Sequence, residues 1–195
     1  MKNISKAITL IGMPASGKST IGKILAKKLG WDFVDLDDLI KEKTGKSYDE
    51  ILEKEGEKKL LYLENQLTFE LDFSAYGGSP AGRENFKGIV FAPGGSIIYS
   101  FKAMKKIKNE NRVIYIELSL KEIKKRLDKR PAKRGIVGLK EKGLKKLFEE
   151  RDLIYKKFAD DIVKADGLSE SELVKEISNL IFRKLDSLRP LRELL

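Results

Sequence analysis

Cysteine and histidine are both missing from the chain. Without cysteine there is no disulfide and no thiolate nucleophile. Without histidine there is no imidazole base, no Ser-His-Asp triad and no His-ligated zinc. Proton abstraction must fall to a carboxylate or a lysine, and a metal ion must be held by oxygen. Long apolar runs are missing too: none approaches the roughly 20 residues of a membrane span. The stretch Met1–Lys6 has no apolar signal core. These absences predict a cytoplasmic protein with no membrane partner.

What is present is charge. Lys and Arg number 40 against 30 Asp and Glu, a net charge of +10, and charged residues make up 36% of 195, well above the usual quarter or so. Basic residues lie along Ile21–Leu29, Phe101–Asn109 and Leu118–Arg130, interleaved with acids and apolar residues and with few aromatics. That pattern describes solvated helix faces whose field attracts a small anion, so no nucleic-acid partner is expected. The length suits one well-buried α/β domain spanning residues 1–195. A monomer or a weak homodimer is expected.

The most informative stretch is Gly12-Met13-Pro14-Ala15-Ser16-Gly17-Lys18-Ser19-Thr20, which reads G-x-x-x-x-G-K-S-T. It follows the apolar run Ala7–Ile11 and precedes a helix-like run from Lys18 to Leu29, the setting in which this pattern binds a nucleoside triphosphate. Glycines permit the tight turn that points successive N–H groups, Ala15 and Ser16 among them, at one anion. The helix start at Gly17-Lys18 adds unpaired amides, Thr20 included, and the positive end of its dipole. Lys18 reaches the β- and γ-phosphates, and the Ser19 hydroxyl can hold Mg²⁺. ATP and Mg²⁺ are the expected cofactors.

Taken in order, Ile8–Ile11 is continuously apolar, as a buried central strand is. A helix to Leu29 ends at Gly30. Trp31–Asp38 is expected to be a short strand running out into carboxylates, with Asp35 and Asp37 on one side of it. Helices are predicted over Leu39–Thr44 and from Ser47, capped with Glu50, to about Leu71 with a break near Gly56. Phe73–Gly88 reads as a mobile loop, Ile89–Ala92 as a buried strand, and Pro93–Ser96 as a tight turn. A helix over Ser100–Asn109, a strand over Val113–Leu118 and a helix from Ser119, boxed with Glu122, to about Arg130 follow. The basic, glycine-containing segment of about 130–140 suggests a lid. Helix Glu141–Phe158, strand Asp161–Lys164 and a helix from Ser169 to about Leu185 complete the pattern, leaving a tail of 186–195.

Five strands alternating with helices, the phosphate loop after the first, describe a small α/β P-loop kinase. Over roughly residues 6–185 the chain resembles the shikimate kinase family. GMPASGKSTIGKILAKKLG is similar to the family's loop and first helix, FVDLDDLIKEKTG to its D-x-D segment, ILEKEGE to its acceptor-binding helix, APGGS to its glycine triplet, and EERDLIYKKFAD to its E-R-x-x-x-Y-x-x-x-A-D segment. The resemblance implies a three-layer fold with a five-stranded parallel sheet flanked by helices and a mobile lid, with the acceptor bound by residues of about 38–88. It implies phosphorylation of a small hydroxyl compound such as shikimate, in aromatic amino acid biosynthesis. Lys18 and the loop from Gly12 would hold the phosphates and Arg126 would join the nucleotide-binding set. Ser19 and Asp35 would serve the metal. Asp37 would accept a hydrogen bond from the attacking hydroxyl and act as its base. Gly94 and Gly95 would admit the acceptor, Arg151 would pair with its carboxylate, and Arg130 or Arg134 would close on the phosphates.

The chain departs from the pattern in places. The family's arginine near the position of Leu61 is absent, and KKLLYLEN offers only Lys58 and Lys59 nearby. The glycine triplet is Gly94-Gly95-Ser96, preceded by Pro93, and the lid reads Lys-Arg-Gly-Ile. Two other readings remain open from residues alone: a nucleoside or nucleotide kinase of the same fold, and an ATP-dependent module associated with nucleic acid.

Overall fold

The computed structural model describes residues 7–73, 88–129 and 135–186. The predicted loop 73–88, the lid and the tail therefore lie largely outside the described residues, and Arg130 and Arg134 lie there too.

A five-stranded parallel sheet forms the middle layer, in the order β2-β3-β1-β4-β5. The strands are β1 (Ala7–Ile11), β2 (Asp32–Asp35), β3 (Ile89–Ala92), β4 (Arg112–Glu117) and β5 (Asp161–Lys164). Every residue of β1 and β3 is buried, as continuous apolar runs inside a parallel sheet require. Ile8 registers with Val90 on one side and with Arg112 on the other. Helices α1 (Lys18–Leu29), α2 (Leu36–Thr44), α3 (Tyr48–Lys54), α4 (Gly56–Glu70), α5 (Phe101–Glu110), α6 (Leu120–Asp128), α7 (Leu139–Phe158) and α8 (Glu170–Asp186) flank it. Helix α1 lies so close to β2 that a Cβ on Gly22 would strike the Phe33 ring. No helix among the described residues is long and apolar enough to cross a membrane.

The sheet places the chemistry. All strands run the same way, so the loops leaving β1, β2 and β3 emerge at one edge. The expected extended run through Asp37 is corrected: β2 stops at Asp35 and α2 starts at Leu36. The Asp35 carboxylate accepts the Asp37 N–H at 2.9 Å and so caps the helix, with Asp37 and Asp38 in the favourable first turn. The break expected near Gly56 is present: α3 ends at Lys54 and α4 starts at Gly56, whose φ is +84. A short 3-10 turn, Ile97–Tyr99, goes beyond what the sequence pattern suggested. Helix α7 begins at Leu139, slightly earlier than expected, and kinks at Gly143. Capping boxes form at Ser47/Glu50 and at Ser169/Glu172. At Ser119 only half a box forms: the hydroxyl accepts the Glu122 N–H, but the Ser119 N–H donates to Asp166, while Glu122 pairs with Arg126.

Candidate active site

One cleft gathers most of the predicted residues. It is lined by the phosphate loop (Ala15, Gly17, Lys18, Ser19, Thr20), by Asp35 and Asp37 beyond β2, by Gly94 and Gly95 beyond β3, and by Gly135. The loop has the backbone this role needs. Gly17 sits at φ +97 and starts α1, and Ala15 is held at φ +68, a conformation that non-glycine residues rarely adopt. A Cβ on Gly12 would lie 2.8 Å from the Ile116 carbonyl oxygen, so the loop's entry tolerates only glycine. Lys18 is buried and its ammonium donates to the Gly12 and Met13 carbonyls at 2.9 and 3.0 Å.

These residues fit a nucleoside triphosphate with Mg²⁺. The Ser16 hydroxyl is buried with no hydrogen-bond partner among the described residues, as a group reserved for a ligand is. Ser19 and Asp35 bring a hydroxyl and a carboxylate to the same cleft, the hard oxygen donors that Mg²⁺ takes alongside phosphate oxygens and water. No group of three or more acidic side chains among the described residues could cage a metal alone. Arg126 lies at the far end of the loop. Its Nη1 is 3.4 and 3.5 Å from the Ser16 and Ala15 carbonyls, and its Nε donates to Glu122 at 2.8 Å.

The turn after β3 packs against α7. Arg151 is only 1% exposed. Its Nη2 donates to the Val137 carbonyl at 2.8 Å, its Nε to the Tyr99 hydroxyl at 3.3 Å, and the Tyr99 ring lies under its guanidinium, 5.2 Å from centroid to Cζ. Glu150, its neighbour in the chain, pairs with Lys142 at 2.6 Å. A Cβ on Gly95 would lie 3.2 Å from Arg151 Nη1, so that nitrogen faces the glycine backbone at the cleft. Tyr155, one helical turn on, donates to the Gly95 carbonyl at 2.6 Å. Burial pushes the Tyr155 phenol far up, so it stays a neutral donor.

Sequence reasoning named Arg151 but missed what aims it. Tyr155 was visible in the E-R-x-x-x-Y spacing, since residues four apart share a helix face. Tyr99 and the Val137 carbonyl carry no local signal. The position of Leu61 is partly buried against the core, and Lys58 and Lys59 are exposed. Two further carboxylates tie the segment before α7 to α3 and α4: Asp49 accepts the Gly135 N–H at 2.9 Å and Glu57 the Gly138 N–H at 2.7 Å.

Comparison with known proteins bears on this geometry. The family model described as shikimate kinase matches residues 14–182. A shikimate kinase of Sulfurihydrogenibium sp. is 34% identical over 179 residues, covering 92% of this chain and 99% of that protein. The structure of shikimate kinase from Acinetobacter baumannii in complex with shikimate is similar with a TM-score of 0.76 at 28% identity, covering 91% of this chain and 93% of that one. Shikimate kinase from Aquifex aeolicus is similar with a TM-score of 0.72 at 30% identity, covering 93% and 98%.

Proposed function

The chain belongs to the shikimate kinase family, and from that membership we infer that it phosphorylates a hydroxyl of shikimate with ATP. The observation that carries the assignment to this site is the meeting of two anion-binding elements at one cleft. The phosphate loop and the Gly94–Gly95 turn line the cleft, and Arg151, a buried cation, lies directly behind Gly95. A donor triphosphate and a carboxylate-bearing acceptor fit that pair. A nucleoside acceptor would call for aromatic stacking, and among the described residues the cleft lining supplies only Tyr48.

Phosphoryl transfer depends on alignment and on neutralising the equatorial oxygens. Lys18 leaves its two carbonyl partners for the β- and γ-phosphates, joined by the loop amides and the N-terminus of α1. Mg²⁺, held by Ser19 and with Asp35 in support, supplies charge neutralisation when bound. Arg151 takes the acceptor's carboxylate, and the Gly94–Gly95 backbone lets the ring approach closely. Asp37, beside the loop, accepts the proton of the attacking hydroxyl. With no histidine in the chain, a carboxylate there is the base available. An arginine of the lid, Arg130 or Arg134, completes the charge around the transferring group. The whole chain acts as one kinase domain in the cytoplasm.

The test is ADP release with Mg-ATP against a panel of hydroxyl acids and nucleosides. Release that responds to shikimate and not to nucleosides is expected. Indifference to every hydroxyl compound sinks the reading.

A further inference from the structure

The turn Gly94-Gly95-Ser96 ends in a residue whose hydroxyl is fully committed. Ser96 Oγ lies 2.7 and 2.8 Å from the two carboxylate oxygens of Glu64, and 3.3 Å from the Tyr48 hydroxyl. Ser96 has a single proton to give, and the Glu64 carboxyl oxygens accept it. The bonds therefore run from Tyr48 to Ser96 to Glu64, linking α3 and α4 through the turn that separates them from α7. Ser96 is 1% exposed and Glu64 0%. Glu64 also packs directly behind Gly94: a Cβ there would collide with Oε1.

We propose that Ser96 is a positioning residue for acceptor binding: its hydroxyl holds the Glu64 carboxylate behind the Gly94 backbone, leaving Arg151 as the charge that the acceptor's carboxylate meets. The proposal rests on the reading above that the acceptor carries a carboxylate. Gly94 and Gly95 are adjacent, their Cα atoms about 3.8 Å apart. Glu64 touches the first and Arg151 Nη1 faces the second, so a buried negative group stands next to the subsite for an anion. In so dry a setting a carboxylate that turned into the cleft would repel the acceptor strongly. The Ser96 hydroxyl, within 2.7 and 2.8 Å of the two oxygens, restrains that motion. Leu61, packed against the core, brings no cation to this side. The serine in place of a third glycine is thus tied to acceptor recognition as well as to turn geometry.

The experiment is steady-state kinetics with shikimate and Mg-ATP for the wild type, Ser96→Ala, Glu64→Gln and the double variant, with thermal denaturation of each. Ser96→Ala is expected to raise KM for shikimate about tenfold with KM for ATP within about twofold. The same change made in the Glu64→Gln background is expected to cost much less, because the amide has no charge to turn on the acceptor. Tyr48→Phe removes only the outer link and is expected to raise KM for shikimate a few-fold, which keeps the test open if Ser96→Ala folds poorly. The proposal is overturned if Ser96→Ala raises both KM values alike, or if its effect is the same in the wild-type and Glu64→Gln backgrounds. Wild-type ADP release that ignores shikimate instead removes the functional reading and this proposal with it, so the two failures are told apart by the wild type.

Discussion

At the scale of single residues, the two ends of the cleft are separable by measurement. Lys18 rests on the Gly12 and Met13 carbonyl oxygens, which under the proposed function it exchanges for phosphate oxygens. Lys18→Ala is expected to lower kcat by roughly 10²–10³-fold and to weaken nucleotide binding, read by ADP release and by nucleotide titration. Unchanged affinity and turnover would remove the loop from the chemistry. Arg151 offers a planar fork, and a lysine cannot reproduce its simultaneous bonds to Val137 and Tyr99. Arg151→Lys should raise KM for shikimate about tenfold or more while leaving KM for ATP nearly unchanged. Tyr99→Phe keeps the stacked ring and loses only the hydroxyl, so its expected effect on the same KM is a few-fold. A Tyr99→Phe loss as large as that of Arg151→Lys would mean that the phenol itself meets the acceptor.

At the scale of elements, the caps give a prediction about acid. Hydrogen bonds from the Ser47 backbone and side chain hold the Glu50 carboxyl below its ordinary range, and the Ser169 side chain and backbone do the same for Glu172. A depressed folded-state value means that stability is present above the unfolded carboxylate range and lost as pH falls through the folded values. The urea midpoint should drop on acidification, and the drop should be smaller in a Glu50→Gln/Glu172→Gln variant. An identical acid limb in that variant would show that the caps contribute nothing.

The elements also show what was legible beforehand. The buried strands were readable because Ile8–Ile11, Ile89–Ala92 and Val113–Ile116 are continuously apolar, and α1 because Gly17 and Gly30 bracket an amphipathic run. The phosphate loop was readable because its contacts are local. Where α2 begins was misjudged because a side chain, the Asp35 carboxylate, supplies the bond that starts it. Tyr99 beneath Arg151, and Glu64 against Ser96, were not readable because each pair joins segments far apart in sequence. Nothing local distinguishes such a tyrosine or glutamate from a surface one.

At the scale of the whole molecule, a net charge of +10 surrounds a cleft built for anions. At about 0.15 M salt the screening length is near 8 Å, so KM for ATP should rise with added salt more than kcat falls. Insensitivity of KM to salt would assign the charge to solubility alone. One five-stranded sheet running through the molecule also predicts a single unfolding transition, coincident by far-ultraviolet circular dichroism and by Trp31 fluorescence. Two separated transitions would divide the chain into independently folding parts.

The tethers from Asp49 to Gly135 and from Glu57 to Gly138 give the molecule a further property. Gly135 lines the cleft and packs against α3, while Asp49 and Glu57 belong to α3 and α4. Under the proposed function, a movement of α3 and α4 on acceptor binding would reach the cleft through these bonds. Heterotropic linkage must then be mutual: whatever factor one substrate adds to the other's association constant is returned in equal measure. Cutting both tethers should bring that factor towards unity while each substrate alone still binds.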